Sequence, residues 1–319
     1  MQFDVFNGDA DGICALIQLR LAEPVVNATL VSGVKRETAL LNNVSVQAND
    51  LVTVLDVSLK KNRLALDTIL QQGAFVFYVD HHETGEIPNH PNLKTIINTV
   101  EITCTSLLVD HYLSGKYRAW ALTGAFGDNL LAKAEELAKT LSLTTKQFEQ
   151  LKSLGTCVNY NSYGDSFADL YFAPDKLYQS LAAYESPFEF INDNPVVYEK
   201  LLSSYHDDMT QANSIAPEYQ TDKVSVTILP DEAWARRVSG VLGNHLANLY
   251  PDQAHAVLRF NPQGGYQVSV RAPLTNSVGA DELCSLFNTG GGRRGAAGIN
   301  HLPLDQLAFF MSTFSDKYA

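Results

Sequence analysis

Short apolar runs alternate with helix-period segments along the first half of the chain. Residues 3–6, 28–31, 51–55 and 75–79 are apolar or nearly so, and 120–125 is a candidate fifth run of the same kind. Residues 13–21, 103–113 and 132–141 carry helical patterns between or after them. Strands without polar alternation, spaced by helices, predict a parallel sheet covered on both faces. A less regular stretch rich in Pro and aromatic residues occupies 172–195, and 196–215 reads as an amphipathic linker helix. The pattern restarts at Lys223, with strands at 224–229, 254–260 and 266–271 and helices at 233–249 and 281–287. The expected organisation is an α/β N-terminal domain over 1–190, a linker helix region over 191–221, and a smaller α/β domain over 222–319. The sheet of the smaller domain is expected to be more antiparallel.

A chain of 319 residues, 45% apolar and 18% charged, has material for two buried cores. Its formal net charge of −12 speaks against a protein that coats long duplex nucleic acid, because phosphate binding is driven by basic surface. The same charge is compatible with a short anionic substrate in a local basic pocket, and with acids spent on divalent metal ions. Cys14, Cys104, Cys157 and Cys284 form no C-x-x-C, so neither a zinc cage nor a redox pair is indicated. The first residues lack a basic and apolar leader pattern, and no run approaches the roughly 18 apolar residues of a membrane span. A cytoplasmic protein without membrane partners is the expectation.

The positions of the acids change this picture most. Asp9 and Asp11 follow the first strand, Asp56 the third, and Asp80-His81-His82 the fourth, while Gly127-Asp128 follows the run ending near Ala125. In an open parallel sheet the carboxyl ends of the strands share one edge, where ligands bind. Five carboxylates at that edge repel one another unless a cation neutralises them. Oxygen ligands mixed with imidazole suit Mn²⁺, Mg²⁺ or Fe²⁺ better than a thiolate-seeking ion. Strand-end capping explains any one of these acids, but explains four strand ends in one half-chain poorly.

The constellation resembles the DHH phosphoesterase superfamily, which is named for a triplet such as Asp80-His81-His82. Asn7-Gly8-Asp9-Ala10-Asp11-Gly12 is similar to its first motif, Asp56 to its second and Gly127-Asp128 to its fourth. Gly290-Gly291-Gly292-Arg293-Arg294-Gly295-Ala296-Ala297-Gly298, with Arg271 upstream, resembles the glycine motif of the DHH-associated substrate domain. Members with this layout include RecJ-type exonucleases and nanoRNases. The resemblance implies one metal ion on Asp11, Asp56, His81 and Asp128, and a second, weaker one on Asp9 and the bridging Asp56. It makes His82 the group contacting the scissile phosphate, with Asp80 supporting the histidines. Two positions depart from the pattern: Val5 stands where a histidine is common, and Arg293 follows the glycines where a histidine is common.

The implied activity is a phosphodiesterase or exonuclease dependent on Mn²⁺ or Mg²⁺, cutting short oligonucleotides or linear dinucleotides to mononucleotides. Attack is expected in line, by hydroxide generated at the metals. The glycines Gly290, Gly291 and Gly292 with Arg271, Arg293 and Arg294 are the expected phosphate anchor, and His301 is a candidate for the imidazole absent at Arg293. Lys35 and Arg36 are candidate phosphate contacts, though a solvated turn accounts for them better; Thr103, Thr105 and Ser106 are candidates to face the substrate, though a helix start accounts for them better. The alternatives are a nucleotide phosphomonoesterase or phosphoanhydride hydrolase, and a non-catalytic nucleotide sensor. A homodimer is compatible with the sequence.

Overall fold

The computed structural model describes residues 1–261 and 263–319, and the chain divides into two compact units, Met1–Ser203 and Ser204–Ala319. The first unit opens with β1 (Gln2–Asn7), α1 (Ala10–Ala22), β2 (Thr29–Gly33), β3 (Leu51–Leu55), α2 (Leu59–Gln71), β4 (Phe75–Asp80) and β5 (Leu93–Ile97). The strands form one all-parallel sheet in the order β2-β1-β3-β4-β5. Strand order reverses between β1 and β3, the switch point where a crevice opens at the carboxyl edge.

One face of the sheet packs Val5, Val52, Val54, Val76 and Tyr78 against Leu59, Leu66, Ile69 and Leu70 of α2. Those four leucine and isoleucine positions recur at helical spacing, so α2 buries one stripe and exposes the other. α1 differs. It is buried continuously from Ala10 to Leu19, because further helices cover it. Near its outer end, Arg20 reaches back to the buried Asp4 of β1 through two hydrogen bonds of 2.6 and 2.8 Å.

The chain continues with α3 (Thr105–Tyr112), α4 (Arg118–Gly127), α5 (Leu131–Ala138), α6 (Thr145–Asn161), α7 (Pro174–Leu181) and α8 (Pro187–Asp193), of which α3, α4, α6 and α7 pack on α1 while α5 and α8 pack behind them. The first unit ends within α9 (Pro195–Asn213). Residues 120–125 are not a strand; they lie in α4, buried on every side from Trp120 to Gly127 between α1, α3 and α6. An apolar run of that length has the same composition in a buried helix as in a buried strand. The fifth strand is β5, a half-exposed edge containing Lys94 and Thr95, too polar to stand out as a buried run. Glycines let the helices approach: a Cβ on Gly155 of α6 would collide with the Thr123 carbonyl of α4.

The second unit contains β6 (Tyr219–Gln220), β7 (Val224–Leu229), α10 (Ala233–Leu249), β8 (Ala254–Asn261), β9 (Gly265–Arg271), α11 (Ala280–Cys284), β10 (Gly290–Gly292), β11 (Ala296–Pro303) and α12 (Leu307–Tyr318). Its six-stranded sheet runs β10-β11-β9-β8-β7-β6, antiparallel except for the β7–β8 pair. Val226, Leu258, Val268 and Ile299 form its core with Leu283, Phe287, Phe310 and Phe314. The glycine run is a strand and not a loose loop. β10 pairs with β11, and Arg293 and Ala296 close the turn between them through two backbone bonds.

Candidate metal centre

β1, β3 and β4 end in step, with Phe6 opposite Leu55 and Leu55 opposite Val79. The residues that follow therefore emerge at one level: Asp9 and Asp11 after β1, Asp56 after β3, and Asp80, His81 and His82 at and after the end of β4. Asp128 arrives differently. It caps the C-terminus of α4, its backbone N–H donating to the Gly124 carbonyl, where a strand end was expected.

The His81 imidazole sits at the middle. Its Nδ1 lies 3.1 Å from the Thr103 carbonyl, which only accepts, so Nδ1 carries the proton. Nε2 is thereby turned toward Asp56 Oδ1 at 3.3 Å, Asp11 Oδ2 at 3.8 Å and Asp128 Oδ2 at 3.9 Å. A lone pair and three carboxylates converging on one point need a cation between them, and this donor set fits a divalent ion. The orientation of a ring nitrogen by a carbonyl on its far side is the usual support of a metal-binding histidine. Asp56, His81 and His82 also place one ligand atom each within 4.8 Å of the others.

Each carboxylate is held from behind. Both oxygens of Asp11 accept from the start of α3, from the Thr105 N–H at 2.8 Å and the Ser106 N–H at 2.7 Å. The free N–H groups and positive end of a helix favour an anion there. Thr105 Oγ1 donates to Asp56 at 3.2 Å. Asp56 itself has φ +59°, a left-handed conformation that is costly for a side chain and common at functional sites. Burial, with Asp9, Asp11 and Asp128 adding to it, pushes the Asp56 carboxyl well above the usual range, and His82 only partly opposes them. Asp80 is fully buried and accepts the His82 Nδ1–H at 2.7 Å. His82 is about a third exposed, and its contact to Asp80 leaves Nε2 as the second ring nitrogen.

Asp9 is arranged differently. It caps α1 by accepting the Gly12 N–H through Oδ1, and its Oδ2 accepts from the Lys35 ammonium. Burial acts to raise the Asp9 carboxyl, but Lys35 outweighs it and holds the group below its ordinary value. Gly12 is required here, because a Cβ would strike the Asn7 carbonyl. The Asn7 side-chain oxygen is buried with no hydrogen bond among the described residues. Val5 lies fully buried in the sheet core, so no imidazole reaches the centre from that position.

Sequence reasoning weighed Lys35 only as a phosphate contact and preferred a solvated turn, and it missed the companions Asn159 and Tyr163. Lys35 follows β2, as expected, but the turn is not solvated: its ammonium also donates to Asn159 Oδ1 at 3.0 Å and lies 5.6 Å from the Tyr163 ring. No local signal links residue 35 to residues 159 and 163. Thr103, Thr105 and Ser106 do start a helix, and the structure adds that their backbone groups orient His81 and Asp11.

In the second unit, Arg271 at the end of β9 donates to Asn244 Oδ1 at 2.7 Å and to the Val270 and Gly240 carbonyls. It pairs in register with Ala296, immediately after the Arg293–Gly295 turn, so Arg271, Arg293, Arg294 and Gly290–Gly292 share one end of the sheet. His301 does not join them. It lies five residues along β11 from Ala296, about 17 Å away at strand rise, and contacts Asn261.

No family model matches this sequence, and no curated protein matches it. Solved structures do match. RecJ from Thermus thermophilus, in complex with Mn²⁺, superposes with a TM-score of 0.58 at 16% identity, covering 99% of this chain and 51% of that one. The chain thus spans about half the length of that RecJ. A pGpG-specific phosphodiesterase, PggH from Vibrio cholerae, superposes with a TM-score of 0.54 at 15% identity, covering 99% of this chain and all of that one. The two-unit α/β fold is therefore one that this chain shares with these two proteins. Among the described residues no helix is long and apolar enough to cross a membrane.

Proposed function

We propose that this chain is a divalent-metal-dependent phosphodiesterase that hydrolyses short oligonucleotides or linear dinucleotides to mononucleotides. The observation that carries the reading is His81 Nε2 aimed at Asp11, Asp56 and Asp128, with Nδ1 pinned by Thr103. Those four side chains are the ligands of the ion, Mn²⁺ or Mg²⁺. When bound, the ion neutralises the carboxylates, acidifies a water and offsets charge on the phosphoryl oxygens.

The remaining roles belong to the chain itself. Carrying a proton on each ring nitrogen, His82 donates from Nε2 to a non-bridging phosphate oxygen while its Nδ1–H stays on Asp80, which fixes the ring's orientation. Arg271, Arg293 and Arg294 anchor a terminal phosphate, assisted by backbone N–H groups near Gly290–Gly292. Fold likeness to a RecJ and to a pGpG-specific phosphodiesterase supports phosphodiester substrates, and the net charge of −12 favours short ones.

The test is chromatographic product analysis with Mn²⁺ or EDTA. Substrates are a length series from dinucleotide upward, pyrophosphate, and a 3′-phosphorylated mononucleotide. Mononucleotides from the shortest oligomers, abolished by EDTA and by Asp56→Ala, are expected. Turnover of pyrophosphate or the monoester alone would replace this reading with a phosphoanhydride or phosphomonoester hydrolase. Binding of dinucleotide without turnover of anything would make the protein a sensor.

A further inference from the structure

The resemblance that led to this centre implies two metal ions, the second on Asp9 with Asp56 as the bridge. The residues around Asp9 do not fit that ion. One oxygen of Asp9 is engaged by the Gly12 N–H and the other by the Lys35 ammonium. The neighbouring position from which an imidazole would come is Val5, buried in the core. We infer that Lys35 is a built-in cation occupying the place of a second ion at Asp9, so that the chain works with one divalent ion and one fixed ammonium. The inference rests on the metal centre proposed above and deepens it.

Lys35 is held as a structural cation, not as a surface lysine. Its backbone N–H donates to the Ser162 carbonyl at 2.9 Å, which fixes the turn after β2. Its side chain is about four-fifths buried and runs to Asp9 Oδ2 and Asn159 Oδ1, with Tyr163 flanking the ammonium. An ammonium offers three donors and these contacts use two, so one remains for a substrate oxygen. The charges are consistent. Against Asp9, Asp11, Asp56 and Asp128, one ammonium and one divalent ion leave a single negative charge, which a phosphodiester-binding site tolerates when His82 adds a donor. A compact ammonium is suited to this position because it carries the same sign of charge as a metal ion in a similar volume. The competing occupant is a second ion on Asp9, Asp56 and the unpartnered Asn7 oxygen.

The experiment counts ions. The full chain is equilibrated with Mn²⁺ alone, the bound metal is quantified by atomic emission, and the electron paramagnetic resonance spectrum is recorded. The wild type is expected to hold one ion per chain with the spectrum of an isolated Mn²⁺. Asp9→Asn, which keeps the cap to Gly12, should leave that count unchanged, because Asp9 answers Lys35 and not the ion. Lys35→Met should double the count and produce a spin-coupled spectrum, since it frees a buried carboxylate beside Asp56. Two coupled ions in the wild type overturn the role of Lys35 and leave the metal centre standing. No bound ion in the wild type overturns the centre and this inference together. A folded Lys35→Met that still holds one ion overturns the exclusion of the second. Should that variant fail to fold by circular dichroism, Asp9→Asn decides: one retained ion supports the inference, and loss of the ion overturns it.

Discussion

Asp56→Asn separates the needs of the site from the needs of the fold. Asp56 Oδ1 and Asp11 Oδ2 lie 3.3 and 3.8 Å from the same His81 nitrogen, so they are no more than about 7 Å apart. The Asp128 oxygen stands in nearly the same relation. At an effective dielectric near 20, two unit charges at about 7 Å repel by about 2 kcal/mol. Proton uptake by Asp56, whose carboxyl burial and its neighbours push up, relieves part of this in the metal-free protein. Asparagine removes the charge, still accepts from Thr105, and tolerates the φ of +59° better than aspartate. A net gain of about 1–2 kcal/mol follows, which for a unit of this size is a rise in Tm of about 2–8 °C.

The assay is thermal unfolding by circular dichroism in EDTA and in Mn²⁺. The pH dependence carries a sign. A carboxyl raised in the folded state contributes stability that is full below its unfolded value and is lost as pH rises through the folded value. The wild-type protein in EDTA therefore loses this contribution as pH rises, and Asp56→Asn does not, so the gap widens toward alkaline pH. In Mn²⁺ the order reverses, because only the wild type gains from ion binding. A variant whose Tm in EDTA is equal to or below wild type, or one that still gains stability from Mn²⁺, would refute the reasoning.

Other outcomes follow from the same geometry. Arg20→Met strands the buried Asp4 carboxylate and should cost about 3–5 kcal/mol in urea unfolding, a loss much larger than a surface pair would show. His82→Ala should lower kcat by about 10²–10³-fold while the Mn²⁺ content measured by atomic emission stays at the wild-type level. Gly155→Ala drives a methyl into the Thr123 carbonyl where α6 meets α4. It should destabilise by about 1–3 kcal/mol in chemical denaturation, and an unchanged midpoint would mean that the two helices part without cost.

Much of the fold was legible because its signals are local. Apolar runs at 51–55 and 75–79 match β3 and β4 within a residue, since strands buried on both faces cannot alternate. The acids Asp9, Asp11, Asp56 and Asp80 were placed at one edge from sequence alone, because parallel strands end on the same side. The triplet Asp80-His81-His82 falls at the same edge because it closes β4. Tertiary structure decided the rest. Only packing against α1, α3 and α6 makes 120–125 a helix, for an apolar run does not declare its period when every face is covered. Only the sheet register sets His301 at the far end of β11 from Arg271. Lys35 comes from a segment more than a hundred residues away from Asn159 and Tyr163, and nothing near any of them in the chain reports that an ammonium will be buried against Asp9. A buried charge is stabilised by partners brought from elsewhere in the chain, and those partners exist only once the whole unit has folded.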